Sequence, residues 1–272
     1  MSPLIVVLIV AAVVCAFCWI ASLITRDTSW VDRIWSIVPV VYVAIFAGSS
    51  GFTDPRLNLM LVLVFIWGAR LTFNFARKGG YSGVEDYRWA VLRGRMSPRG
   101  FAFFNLFFIV LYQNSLLVLI TLPAYTATLH RTPIGPLDVV LAIGFFVCTV
   151  GETIADQQQW EFHRFKAAET AAGRTPSPRF LQTGLWRFSR HPNFFFEQAQ
   201  WWVFFFFGAV AAGSVLQWTV LGPLLLTVLF VGSTSFTESI TRSKYPEYVD
   251  YQATTSPIVP WFPRRRRIEL AN

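Results

Sequence analysis

Leu4-Ile5-Val6-Val7-Leu8-Ile9-Val10-Ala11-Ala12-Val13-Val14-Cys15-Ala16-Phe17-Cys18-Trp19-Ile20-Ala21-Ser22-Leu23-Ile24-Thr25 contains no charged residue. A helix needs about 20 apolar residues to cross a bilayer's hydrocarbon core, and this run supplies them. The preceding Met1-Ser2-Pro3 has no positive charge and no clear cleavage site follows, so the segment reads as a retained span, not a signal peptide.

Further apolar runs follow at Ile34–Gly48, Leu57–Phe75, Phe101–Tyr125, Leu137–Ile154, Phe194–Val215 and Trp218–Phe236. The second is short and begins nearer Val31; a tight turn around Ser214–Gln217 joins the last two. Composition agrees. Of the 272 residues, 54% are hydrophobic and 14% charged, whereas a soluble domain carries about a quarter charged residues. That balance excludes a soluble globular protein and a disordered one. The sequence predicts an all-α polytopic membrane bundle of about seven transmembrane helices.

The basic residues give its orientation. With the N-terminus outside, 20 of the 23 Lys and Arg fall in inner segments, leaving Arg56 and Arg131 outside and Arg70 within a span. This is the positive-inside pattern and predicts an N-out, C-in topology. The net charge of +8 is thereby explained without nucleic acid, and Arg264–Arg267 is expected to meet anionic lipid heads. The long inner segments Arg77–Gly100 and Asp156–Asn193 point to a soluble cytosolic ligand.

Polar residues recur on helix faces at the inner ends of the last three spans. They are Glu152, Asp156, Gln159 and His163; Asn193, Glu197 and Gln200; and Ser235, Glu238, Arg242 and Tyr245. Steps of three and four place each set on one face. Ionisable groups within membrane helices are costly and face a cavity or a partner. The stripes predict a polar cavity open to the cytosol; the alternative is solvated helix ends, with Glu238 and Arg242 pairing at i and i+4. Between the stripes lies Gly184-Leu185-Trp186-Arg187-Phe188-Ser189-Arg190-His191-Pro192-Asn193-Phe194-Phe195-Phe196-Glu197. Pro192 suits the first turn of a helix. The helix end beside Arg187, Arg190 and His191 favours a phosphate or carboxylate, or the cations form a membrane-anchoring collar.

Other features are less directive. Cys15 and Cys18 form a C-x-x-C in hydrocarbon, which disfavours the thiolates that redox or zinc chemistry needs. With only His130, His163 and His191, no metal site is expected. Glu85-Asp86-Tyr87-Arg88-Trp89 either lids the cavity or caps a surface helix. Gln113 and Asn114, within the fourth span, either bond to other helices or touch a substrate carbonyl. Trp30, Trp35, Trp186 and Trp261 read as interfacial anchors. Walker, Rossmann, H-E-x-x-H and G-x-S-x-G signatures are missing.

The Gly184–Glu197 stretch resembles the G-L-W-x-[YF]-S-R-H-P-N-Y-F-G-E signature of the steroid 5α-reductase-like, DUF1295 membrane proteins. The likeness extends through Asp27–Trp35, Trp67–Leu71, Glu85–Arg88, Gly151-Glu152, Ala155–Gln157, Glu238, Arg242, Tyr245, Tyr248 and Tyr251. The chain departs from the signature at Phe194, which lacks the phenolic donor, and at Phe196, which replaces a glycine. Steroid 5α-reductases bind NADPH in a seven-helix membrane fold and reduce an enone double bond. Related isoprenylcysteine carboxyl methyltransferases bind S-adenosylmethionine.

The resemblance implies a cofactor surrounded by Asp156, Arg187, Arg190, His191, Asn193, Glu197, Glu238, Arg242, Tyr245 and Tyr248. It implies one transmembrane domain over residues 1–272, with helices one to four (1–125) on the substrate side and helices five to seven (137–260) holding the cofactor. The basic groups suit NADPH better than S-adenosylmethionine. Tyr87, or a water on Gln113, is the candidate catalytic donor to a lipophilic enone. The expected setting is the lipid bilayer of a bacterial inner membrane. A lipid methyltransferase and a non-enzymatic lipid-binding protein are the alternatives.

Overall fold

The computed structural model describes residues 1–264. Arg265, Arg266 and Arg267, expected above to meet lipid heads, lie outside them. The helices among the described residues are α1 (Pro3–Thr25), α2 (Trp30–Ile34), α3 (Val38–Gly48), α4 (Pro55–Arg77), α5 (Tyr87–Arg95), α6 (Pro98–Phe104), α7 (Gln113–Leu129), α8 (Pro136–Ala171), α9 (Pro192–Ala212), α10 (Leu221–Lys244) and α11 (Tyr248–Thr254). A π-helical stretch, Asn105–Tyr112, joins α6 to α7. No strand occurs among the described residues, so the fold is all-α, as the sequence predicts.

Proline begins five of the helices: Pro3, Pro55, Pro98, Pro136 and Pro192 each stand first. Its fixed φ suits the first turn, where its missing N–H has no intrahelical partner. Side chains satisfy other exposed N–H groups there. Asp54 accepts from Arg56 N (2.9 Å) and Leu57 N (3.1 Å), and Ser97 from Gly100 N (3.1 Å).

Among the described residues, five helices are long and apolar enough to cross a membrane: α1, α4, the continuous Pro98–Leu129, α8, and Trp218–Lys244. The chain is thus a multi-pass membrane protein. The two other expected spans differ for identifiable reasons. The second is broken, with α2 and α3 separated by a turn at Trp35–Ile37. Pro39 near the start of α3 cannot donate the hydrogen bond that would continue the helix. The remaining 11 residues of α3 reach only about 16 Å. By contrast α9 has 21 residues, but Glu197, Gln198 and Gln200 dilute its apolar character. At 36 residues, α8 is about 54 Å long and outruns a hydrocarbon core of about 30 Å.

The chain forms two compact units. The first comprises Met1–Phe146 and Trp201–Leu226. In it α7 packs on α1, α3 and α4, around fully buried Tyr42, Phe46, Trp67, Leu116, Trp201 and Phe204. A Cβ on Gly222 would meet Leu119 O at 2.5 Å; the missing side chain lets the backbones touch, as small residues do in membrane helix pairs. Arg56 and Asp138 form a buried ion pair, Nε–Oδ1 2.6 Å and Nη2–Oδ2 2.9 Å. Beside it lies a cleft of about 540 Å³ bordered by His130, Arg131 and Thr132.

The Glu85–Trp89 cluster caps α5 and docks it on the α1–α2 loop. Asp86 accepts from Arg88 N (2.9 Å), Glu85 accepts from Thr28 N (2.9 Å) and Thr28 Oγ1 (2.8 Å), and Trp89 Nε1 donates to Asp32 (3.0 Å). Burial pushes the Asp32 carboxyl up, helped by neighbouring Asp86. For Glu85 burial acts upward too, but hydrogen bonds from Arg93 and Thr28 outweigh it and hold the carboxyl below its ordinary value.

The second unit comprises Val147–Gln200 and the chain from Thr227. A parallel bridge between Ser189 and Ser256 ties the segment before α9 to the one after α11. Around it, Ser189 Oγ donates to Ile258 O (2.6 Å), Trp261 N to Phe188 O (2.9 Å), and Tyr251 Oη to Trp186 O. Trp186 corrects the sequence expectation. It is buried and its indole donates to Ala155 O at 3.1 Å, so it is a core residue, not an interfacial anchor. Trp261 is exposed.

Candidate functional site

The second unit gathers the polar stripes. α8 brings Thr149, Glu152 and Asp156, successive turns of one face, and α9 brings Asn193, Glu197 and Gln200. Gln200 Nε2 donates to Glu197 (2.8 Å) and Glu152 (3.3 Å), while its Oε1 accepts from Thr149 (3.1 Å). One turn away, Asn193 Nδ2 approaches Asp156 Oδ1 at 3.4 Å. Glu152, Asp156, Glu197 and Gln200 are all buried. They form a hydrogen-bonded carboxylate–amide centre, not solvated helix ends. Asn193 Oδ1 is buried and accepts no hydrogen bond.

The α9 start explains this placement. Pro192 opens the helix as the sequence predicts, so Asn193, Glu197 and Gln200 descend one face from its first turn. Gly151 makes room for the face beside them. A Cβ there would lie 2.5 Å from the Phe196 ring; Phe196, the residue that departs from the family glycine, is received by a glycine on the neighbouring helix. Phe194, the other departure, stacks on His191 (5.2 Å between ring centres) and meets Phe230 edge-on (4.7 Å).

A second cluster centres on Glu238. Arg190 binds it through Nε–Oε1 (2.6 Å) and Nη2–Oε2 (3.0 Å), His191 Nε2 lies 3.1 Å from Oε1, Gln252 Nε2 donates to Oε2 (2.7 Å), and Tyr248 Oη to Oε1 (3.4 Å). Arg190 Nη1 also donates to Gln252 O (3.0 Å) and Thr255 O. Glu238 therefore pairs with Arg190, not with Arg242 one turn along its own helix. The sequence shows no sign that Gln252 and Thr255 join this cluster, except that Tyr248, Gln252 and Thr255 share helical spacing.

The third element is cationic. Arg187 and Arg242 are exposed and enter no ion pair among the described residues. Lys166 Nζ donates to Tyr245 Oη (3.0 Å) and lies 5.0 Å over its ring centre. That hydrogen bond, against the opposing effect of burial, holds the Tyr245 phenol below its ordinary value, and the Lys166 and Lys244 charges add to it. Arg179 sits 5.7 Å from the same ring and 3.5 Å from Glu247. Lys166 and Arg179 escaped the sequence reading because each was one basic residue among many in a long loop.

All ten expected cofactor residues thus belong to the second unit, in three groups: Asp156, Asn193 and Glu197; Arg190, His191, Glu238 and Tyr248; and Arg187, Arg242 and Tyr245. The two candidate donors belong to the first unit. Tyr87 is exposed at the start of α5, and Gln113 is buried at the start of α7. Asn114 donates to Val110 O within its own helical run, 2.8 Å.

Fold and polar centres define a class: a multi-pass helical membrane protein with buried carboxylates, amides and an arginine in one unit and cations at its surface. The chain belongs to the DUF1295 family, described as proteins of unknown function, which it matches over residues 18–255. It is similar to a Schizosaccharomyces pombe protein, "Uncharacterized protein C594.04c", with 38% identity over 271 residues spanning 92% of this chain and 78% of that one. That relative is from a yeast. No solved structure matches the chain.

Proposed function

We propose that this protein is a membrane-embedded, NADPH-dependent reductase acting on the C=C bond of a lipid-like enone, with its N-terminus outside and its cofactor side facing the cytosol. The observation that carries the reading is the presence in one unit of two exposed arginines, Arg187 and Arg242, which enter no ion pair among the described residues, and of Asn193 with the buried Asp156 and Glu197. The residues fit a phosphate-bearing dinucleotide. The arginines offer charge-assisted donors for phosphate. The unengaged Asn193 Oδ1 and the Asp156 carboxylate are acceptors suited to an amide or hydroxyl.

Bound NADPH supplies a hydride. Arg187 and Arg242 would hold its phosphates and Asp156, Asn193 and Glu197 would orient its polar groups, while Arg190 and Tyr248 fix Glu238, and through it His191, in the second cluster. Burial of Asp156 and Glu197 keeps water from these two carboxylates and would strengthen their bonds to the cofactor. Reduction of the double bond also takes up one proton, and Tyr87 or a water on Gln113 is the donor proposed for it.

The test is cofactor-dependent thermal shift of the purified protein in detergent, with NADPH, NADH and S-adenosylmethionine compared. NADPH is expected to stabilise most, and Arg187→Ala and Arg242→Ala each to weaken it about tenfold, the loss of one charge-assisted hydrogen bond. Stabilisation by S-adenosylmethionine alone overturns the reading in favour of a methyltransferase. Stabilisation by none of the three favours a lipid-binding protein without a cofactor.

A further inference from the structure

In the proposed topology Arg56 and Arg131 stand on the outer side, against the positive-inside pattern. Both line the cleft of about 540 Å³ in the first unit, a volume in the range of small-ligand pockets. The cleft lies where α4 and α8 begin and where α7 and α9 end. Arg56 is neutralised by Asp138, through contacts of 2.6 and 2.9 Å. Arg131 is not. It is exposed, and neither its guanidinium nor the His130 ring makes a hydrogen bond or ion pair among the described residues.

Among the described residues Asp138 is the only carboxylate lining the cleft, so Arg131 leaves it with a net positive charge. The end of α9, Val210–Gly213, forms another part of the wall. A helix C-terminus carries a partial negative charge. The cleft therefore presents cation and ring N–H on one side and a negative helix end on another. Its rim is apolar toward the bilayer. Leu137 lines it, and Val140, one turn further on the same face of α8, is exposed as well.

We propose that this cleft seats the headgroup of an outer-leaflet phospholipid in which a phosphodiester is joined to an ammonium, as in phosphatidylethanolamine. Arg131 supplies a charge-assisted hydrogen bond to the phosphate, and His130 a ring N–H. The end of α9 receives the ammonium. Leu137 and Val140 carry an acyl chain from the cleft into the bilayer. A phosphodiester has a single negative charge, which one arginine matches. A phosphomonoester carries about −1.5 to −2 near neutral pH and would set its excess against the negative end of α9. The site stands apart from the cofactor reading, because every residue lining it belongs to the first unit.

The experiment is thermal shift of the delipidated full-length protein in a non-ionic detergent. The probes are dihexanoyl phosphatidylethanolamine, dihexanoyl phosphatidylglycerol, dihexanoylglycerol and glycerophosphoethanolamine, each titrated against wild type, Arg131→Gln and Arg99→Gln. Wild type is expected to respond to phosphatidylethanolamine at about tenfold lower concentration than to the other three. Arg131→Gln is expected to melt as wild type does without lipid, and to need about tenfold more phosphatidylethanolamine for the same shift. Arg99→Gln, which removes an exposed cation elsewhere, is expected to respond as wild type does. A response that survives Arg131→Gln, or falls equally with Arg99→Gln, overturns the proposal. So does an equal response to phosphatidylglycerol, which lacks the ammonium, or to dihexanoylglycerol, which lacks the phosphate. Glycerophosphoethanolamine acting as well as the lipid overturns the lipid assignment in favour of a soluble phosphodiester. If Arg131→Gln lowers the melting temperature without lipid and leaves the lipid response intact, Arg131 serves the end of α7 instead.

Discussion

Arg190 and Glu238 are joined at two points, 2.6 and 3.0 Å, across 48 positions of sequence. The remaining reach of the guanidinium goes to the carbonyls of Gln252 and Thr255. One arginine thus ties the segment before α9 to α10 and to the end of α11.

Removing one partner leaves the other charge buried and unpaired. Arg190→Ala or Glu238→Ala is expected to destabilise the protein by about 3–5 kcal/mol. Arg190→Lys should also destabilise it, because an ammonium cannot reproduce the two-point geometry. Thermal unfolding in detergent, read on intrinsic tryptophan fluorescence, measures this; a shift as small as that of an exposed charge substitution would show the cluster to be dispensable.

Gly151 and Phe196 act as socket and plug. Gly151→Val should clash with the ring and lower stability by about 1–3 kcal/mol, and Phe196→Ala, which removes a half-buried ring, should cost less than the roughly 3–5 kcal/mol of a fully buried one. Combined, each change relieves the other, and the double variant should be more stable than the sum of the single effects predicts. A double-mutant cycle reads the coupling directly.

Glu85 gives a pH-dependent contact. Its folded-state value lies below the ordinary 4.5, so the ionised form is favoured in the fold. The stabilisation is fully present above the ordinary value and is lost as pH falls through the lower, folded one. The protection of the α5 amides against hydrogen exchange, taken relative to the intrinsic rate at each pH, should fall on acidification across that interval. Glu85→Gln should remove the dependence.

Five and seven crossings are both odd, so either count puts α1's start and α11 on opposite faces. Single cysteines introduced at Ser2 and Asp250 of a variant lacking Cys15, Cys18 and Cys148 should label from opposite sides of sealed vesicles, Ser2 from outside. Labelling of both from one side would refute the proposed topology.

Much of this was legible in sequence because it is local. Pro192 marked the start of α9, and steps of three and four placed Glu152 with Asp156 and Asn193 with Glu197 on single faces. The pairings were not legible, since they join distant residues: Arg190 with Glu238, and Arg56 with Asp138 across 82 positions. Glu238 had a nearer candidate in Arg242, which local spacing favours and tertiary packing passes over. The second span was overestimated because hydropathy does not register the break that Pro39 imposes. Trp186 was misplaced because an amphipathic ring suits a membrane interface and a hydrogen-bonded core equally well.

Arg56 has one more property. Its five N–H groups are all engaged, by Asp138, both oxygens of Thr132, and Pro133 O. The guanidinium therefore has no hand free for a visiting anion, and mobile ions cannot reach between it and its carboxylate. Raising the ionic strength should loosen surface pairs such as Arg174 with Glu169 and leave this corner unchanged.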